Sequence, residues 1–239
     1  MKKQKKKLIT ADNSLIYYEI TGQGFPILLL HGNGGSGSYF QKQISAFSKY
    51  YRVYTIDSRE HGRSTNESSI LSFEQMAEDV YLIMKQEHVK QADIIGFSDG
   101  ANLAMVFTKN YPDYVRRLVL NAGNTVVKGV RFPVRVATAL EFALFRLLSL
   151  FSKKAKKRVR TIKLMTTDIG VSTLDLRRFN VKTLVIVGKY DIIKYSHSIY
   201  LAKEIPNASF VIVDKQGHSF AKKAPEIFNK KILTFLKDK

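Results

Sequence analysis

The sequence predicts an α/β fold: a mostly parallel, doubly wound sheet with a helical segment inserted late in the chain. Apolar runs of strand length recur at Pro26–His31, Arg52–Asp57, Ala92–Ile95, Leu118–Asn121, Thr183–Gly188 and Ser209–Val213, with helical patterns between them. Several of these runs are apolar at successive positions, the pattern of strands covered on both faces in a parallel sheet. The alternation stops at Gly123 and resumes at Thr183, and the stretch between holds no clear strand. Residues 1–123 and 181–239 are therefore assigned to one α/β core, and residues 124–180 to a helical cap insertion.

The elements follow in order. Residues 8–20 alternate around Asp12-Asn13-Ser14, which suggests a hairpin of Lys7–Ala11 with Leu15–Ile20. Thr21–Gly24 is a turn, and the buried strand Pro26–His31 follows. A helical pattern covers Tyr39–Tyr50, before the strand Arg52–Asp57. Ser72, with Glu74 and Gln75 behind it, is an N-cap signal for a helix reaching about His88. The short strand Ala92–Ile95 runs through a glycine-flanked turn into the apolar helix Ala101–Phe107. After the insertion come a helix near His197–Glu204 and a last helix near Ala224–Lys237.

Inside the insertion, Pro133–Phe151 is apolar enough to raise the question of a membrane span. Arg135, Glu141 and Arg146 lie within it, and each is costly in hydrocarbon. Arg135, Thr138, Phe142, Arg146 and Ser149 share one side at helical spacing, which makes this an amphipathic cap helix and not a spanning one.

The chain has 239 residues and no cysteine, which excludes disulfides, thiolate metal sites and a cysteine nucleophile. Asp12 and Asn13 interrupt any apolar segment behind the basic N-terminus, so a cytoplasmic location is expected. The formal net charge is +19, concentrated in the lysines of Met1–Lys7 and the run Lys153–Arg160. Such a charge favours nonspecific attraction to polyanions, including weak association with an anionic membrane surface. No zinc-finger, RRM or KH signature accompanies it, so no specific nucleic-acid partner is expected.

Gly96-Phe97-Ser98-Asp99-Gly100 lies between a buried strand and a buried helix. In that context G-x-S-x-G is a nucleophile elbow, a turn so tight that only small residues fit two positions either side of the serine. A serine needs a base, and the base needs an acid to orient it. Asp191 follows one late strand and His218 the next, giving the order Ser, Asp, His, and parallel strands bring such loop ends to one sheet edge. The other histidines fit less well: His31 and His61 precede the serine, His88 ends a helix and His197 starts one. The oxyanion that forms during attack needs backbone N–H donors, and losing one typically costs ~3–4 kcal/mol. Asp99, directly after the nucleophile, supplies one; Asn33, in the loop His31-Gly32-Asn33-Gly34-Gly35, supplies the other. The Asp99 carboxylate complements the helix dipole by ~0.3–1 kcal/mol. Near a pocket it would also attract a cationic group such as a substrate amine.

Together these residues make the chain resemble the α/β-hydrolase superfamily, in particular its small esterase-like members. The resemblance rests on His31–Gly34, Asp57–Ser64, Gly96–Gly100, Gly188–Asp191 and Gly217-His218, and covers nearly the whole chain. It implies a triad of Ser98, Asp191 and His218 under a helical cap. It also implies a small-molecule ester substrate, cleaved through an acyl-enzyme, with no metal and no cofactor. One departure is Glu60, where relatives usually carry glycine. Hydrolysis of a C–C bond in a diketone uses a similar triad and is the nearest alternative.

Two readings of other classes compete. Gly32-Asn33-Gly34-Gly35-Ser36-Gly37 matches G-x-G-x-x-G after a strand, with Asp57 ending the next, which is the fingerprint of an NAD-binding oxidoreductase. That reading leaves the ordered Ser98, Asp191 and His218 unexplained. No Gly-Lys-Ser/Thr follows, so the loop is not a P-loop. A non-catalytic binding module is the third class, but every position of the triad is filled.

Overall fold

A computed structural model describes residues 3–238 of the chain; Met1 and Lys2 of the basic N-terminal stretch, and Lys239, lie outside the described residues. β1 (Gln4–Ile9) and β2 (Leu15–Thr21) form the expected hairpin, pairing antiparallel from Gln4↔Ile20 to Ile9↔Leu15. The strand starts earlier than the Lys7 expected, because its lysines find acids: Lys6 pairs with Glu87 at 2.8 Å, and Lys3, just before the strand, pairs with Glu19 at 2.9 Å.

β3 (Phe25–Leu30) leads through a 3₁₀ turn at Gly37–Phe40 into α1 (Gln41–Phe47), then β4 (Tyr51–Ile56). The helix is shorter than the Tyr39–Tyr50 pattern, since the chain must already be extended at Tyr51. α2 (Phe73–Gln86) opens on a capping box in which Ser72 and Gln75 satisfy each other's backbone N–H. β5 (Ala92–Phe97), α3 (Asp99–Asn110) and β6 (Val115–Asn121) follow. The 124–180 segment holds α4 (Phe132–Leu148), α5 (Lys153–Thr166) and α6 (Thr173–Arg177). β7 (Lys182–Tyr190), α7 (Tyr195–Glu204), β8 (Ala208–Gly217), α8 (Phe220–Lys223) and α9 (Pro225–Lys237) complete the chain.

The eight strands order as β1-β2-β4-β3-β5-β6-β7-β8, and every pairing from β4 to β8 is parallel. Each residue of β5 is buried, as expected for a central strand covered on both faces. α2 and α3 cover one face, through Val80, Ile83, Leu103 and Phe107. α1 and α9 cover the other, through Phe47, Phe228 and Ile232. The carboxyl ends of β3, β5, β7 and β8 therefore share one edge, where ligands bind in open α/β sheets.

α4 departs from ordinary helix packing. Of the stripe expected on one side, Arg135, Thr138, Phe142 and Ser149 are half-buried towards the molecule, but Arg146 is exposed, as are Phe132, Leu140, Leu144 and Leu147. Among the described residues, no helix is long and apolar enough to cross a membrane.

Candidate active site

Between β5 and α3 only Ser98 makes the turn, with φ 53° and ψ −123°. L-residues avoid this conformation, which costs of order ~1–3 kcal/mol and persists only where the surroundings dictate it. Here the Ser98 N–H donates to the Asn121 carbonyl at 2.9 Å, and the Ser98 carbonyl accepts from Ala101 and Asn102 at 2.8 and 3.1 Å. The two glycines are sterically required. A Cβ on Gly96 would stand 2.2 Å from the Gly100 carbonyl oxygen, and one on Gly100 2.0 Å from that of Leu30.

The three residues expected to act together meet at the sheet edge. His218 Nε2 lies 3.0 Å from Ser98 Oγ, and His218 Nδ1 lies 2.8 Å from Asp191 Oδ1. Asp191 is buried where β7 ends, and its Oδ1 also accepts from the Ile193 amide at 3.0 Å. That second bond fixes the carboxylate against rotation. The His218 ring rests on Phe97 at 4.9 Å between centroids, and Phe97 stacks on Tyr39 at 4.3 Å. The imidazole is therefore held from two sides.

The loop after β3 passes directly over the nucleophile, since a Cβ on Gly32 would come within 3.0 Å of Ser98 Cβ. Asp99 is the first residue of α3, so its N–H is one of the helix donors with no intrahelical acceptor. The Asn33 side chain binds the Asp99 carboxylate, Nδ2 to Oδ2, at 2.8 Å. Asn33 and Asp99, the residues expected to supply the oxyanion donors, are thus joined through their side chains. Burial pushes the Asp99 carboxyl up to about 6, against the opposing pull of the Asn33 hydrogen bond.

Sequence reading did not find how the insertion reaches this loop. Asn33 Nδ2 also donates to the Thr161 carbonyl at 2.6 Å, and Arg158 donates to Asn33 Oδ1 at 3.0 Å. Arg158 is itself held by Glu141 of α4. No local signal marks these partners, which stand more than a hundred positions from Asn33.

The competing histidines have other work. His31 Nδ1 meets the Gly32 carbonyl at 2.8 Å and its Nε2 accepts from the Ser58 amide at 3.0 Å. Burial brings it down to about 4, so it is neutral at pH 7. His197, also brought to about 4 by burial, accepts from the Thr125 amide at 3.0 Å. His61 packs on His31, and His88 follows α2 with φ 53°.

Asp57, which a dinucleotide site needs free for a ribose, is fully buried. It accepts from the Gly37 amide at 2.8 Å and from the Arg63 amide and Nε at 3.0 and 2.8 Å. The start of the glycine-rich loop lies against the serine, where Gly32 faces Ser98 Cβ. At Glu60, φ is +63°, which explains the glycine expected there. Its carboxylate instead grips Arg160 of α5, with Nε at 2.9 and 2.8 Å.

A cavity of about 350 Å³ adjoins Asp99, walled by Asn102, Val127, Val130, Val134 and Arg135. A larger one of about 890 Å³ lies beside Gly22, Ser48 and Arg52, at the opposite end of the strands. Of these two, the smaller is the one that borders Asp99, the residue after Ser98.

The comparisons with known proteins agree with this fold. The sequence model of the alpha/beta hydrolase fold family matches residues 26–155. A RutD protein of Azorhizobium caulinodans, named as a carbamate hydrolase, is 28% identical over 250 residues, covering 92% of this chain and 94% of that protein. The 2-hydroxymuconate semialdehyde hydrolase of Pseudomonas putida is 27% identical over 257 residues, covering 90% and 88%. The solved structure of an esterase from Exiguobacterium antarcticum superposes with a TM-score of 0.85 at 18% identity, covering 98% of this chain and 100% of the other. With the triad geometry and the family match in agreement, the chain is a hydrolase belonging to the alpha/beta hydrolase fold family.

Proposed function

We propose that the chain is a serine hydrolase that cleaves carboxylic esters or thioesters of small to medium acyl groups through an acyl-enzyme on Ser98. The observation that carries this reading is the continuous relay from Ser98 Oγ to His218 Nε2 at 3.0 Å and from Nδ1 to Asp191 at 2.8 Å. His218 takes the proton as Oγ attacks the carbonyl, and Asp191 stabilises the imidazolium. The amides of Asn33 and Asp99 receive the oxyanion. His218 then returns the proton to the leaving group, and activated water releases the acid from Ser98.

The cavity of about 350 Å³ is near the lower end of ligand pockets, which suits a short acyl chain. The helical insertion acts as its cap. A carbamate carbonyl is open to the same attack, so likeness to the RutD protein keeps carbamates in the substrate screen.

A fluorophosphonate probe and a p-nitrophenyl ester series from acetate to decanoate test the proposal. The probe should label the wild type and spare Ser98→Ala. That variant should lose about 10⁴-fold or more in kcat while melting as the wild type does. Rates should be highest with the short and medium esters and fall towards decanoate. Labelling that persists in Ser98→Ala, or that is absent from the wild type, refutes the assignment.

A second reading is C–C bond hydrolysis. The likeness to the semialdehyde hydrolase favours it, as does Arg135, whose buried Nε has no partner among the described residues and could meet an acidic substrate. Turnover of such substrates with none of esters would replace the first reading.

A further inference from the structure

Phe132, Val136, Leu140, Leu144 and Leu147 follow one another along α4 at three- and four-residue steps, so they form one ridge. All are exposed, Leu140 at 67%, and the ridge continues past the helix through Leu150 and Phe151, the latter 88% exposed. At the usual helical rise it is roughly 25 Å long. An apolar surface of this extent marks a contact site on a monomeric chain.

Its surroundings are cationic. Residues 131–167 carry ten Lys and Arg against a single acid, Glu141, and Glu141 is already bound by Arg158. Arg131 precedes Phe132, Arg146 lies within the last turn, and Lys153, Lys154, Lys156 and Lys157 follow Phe151. These six are exposed, and none pairs with a carboxylate among the described residues. A second copy of the chain is a poor occupant, because ridge against ridge would bring the same cations face to face. An anionic lipid surface satisfies both features, with acyl chains taking the ridge and headgroup phosphates the cations.

We propose that α4 and the start of α5 dock the protein on an anionic phospholipid bilayer, with α4 lying in the plane of the interface. Phe132 and Val136 also line the cavity beside Asp99, so docking brings the mouth of that cavity to the lipid surface.

The test is cosedimentation of the full chain with vesicles of phosphatidylglycerol and phosphatidylcholine in equal parts, and with phosphatidylcholine alone, at low and high salt. Binding should require phosphatidylglycerol and weaken with salt. Leu140→Glu with Leu144→Glu should abolish it without lowering the melting midpoint, since both side chains are already in water. Charge reversal at Lys153, Lys156 and Lys157 should weaken binding by about fivefold or more per position. Undiminished binding of the leucine variant, or equal binding to pure phosphatidylcholine, overturns the proposal. So does a concentration-dependent dimer in vesicle-free buffer that the leucine substitutions abolish, since a second copy would then occupy the ridge.

Discussion

Asp99 is held where its ionisation is opposed, with a consequence for stability that depends on pH. Burial raises its carboxyl from 3.8 to about 6. Between those values the folded chain keeps a proton that the unfolded chain has lost. Stability from this group therefore falls as pH rises through that window and stays lower above it. Asparagine keeps an acceptor for Asn33 and removes the charge. Asp99→Asn should thus melt with the wild type at pH 4 and be more stable at pH 7.5, by up to about 3 kcal/mol. Thermal melts at the two pH values decide it; an equal gap at both would mean that the carboxyl titrates normally. Ser98, Asp191 and His218 were legible in the sequence because each closely follows an apolar strand run in a fixed order. The burial of Asp99 was not. It depends on Asn33 and the insertion folding over it, contacts that no local pattern records.

At the scale of elements, periodicity identified one helix of the insertion, α4, but not α5 or α6, nor the side that α4 presents. A hydrophobic stripe ordinarily turns inward, yet here the inward side carries Glu141, which joins α4 to Arg158 of α5. α5 is tied to the core by polar contacts from Arg158 and Thr161 to Asn33 and from Arg160 to Glu60. These ties are unequal. Glu141 is partly exposed, whereas Glu60 is buried and would lose its cation in Arg160→Ala. Removing one partner of a buried pair costs about 3–5 kcal/mol, while an exposed pair is worth about 0–1. Arg160→Ala should therefore destabilise more than Glu141→Gln, and amide exchange should quicken over residues 153–166 while β5 stays protected. Adding Glu60→Gly to Arg160→Ala removes the stranded carboxylate and relaxes the φ of +63°. The double variant should regain about 1–2 kcal/mol. A double variant less stable than Arg160→Ala alone would show that Asn66, the other partner of Glu60, matters more than the strain does.

For the molecule as a whole, the sheet was readable because strands buried on both faces leave unbroken apolar runs, whereas charge placement follows no such rule. The chain carries 39 Lys and Arg against 20 Asp and Glu. Among the described residues two acids already hold two cations each: Glu19 binds Lys3 and Arg63, and Glu87 binds Lys6 and Arg52. What remains is repulsion among exposed cations, densest along α5. Salt screens both attraction and repulsion, but buried acids such as Asp57 and Asp93 keep most of their pairing because little solvent reaches them. Exposed pairs contribute little to begin with, so relief of repulsion outweighs their loss. The melting midpoint should rise as sodium chloride is raised from low to about half-molar, where the screening length falls to a few ångströms. A gain of 1 kcal/mol would appear as about 2–4 °C in a chain of this size. Charge reversal at Lys153, Lys156 and Lys157 should flatten that rise, because it removes the densest cationic cluster. A midpoint that falls with salt would mean that the surface ion pairs, not the excess of cations, set the electrostatic balance of the fold.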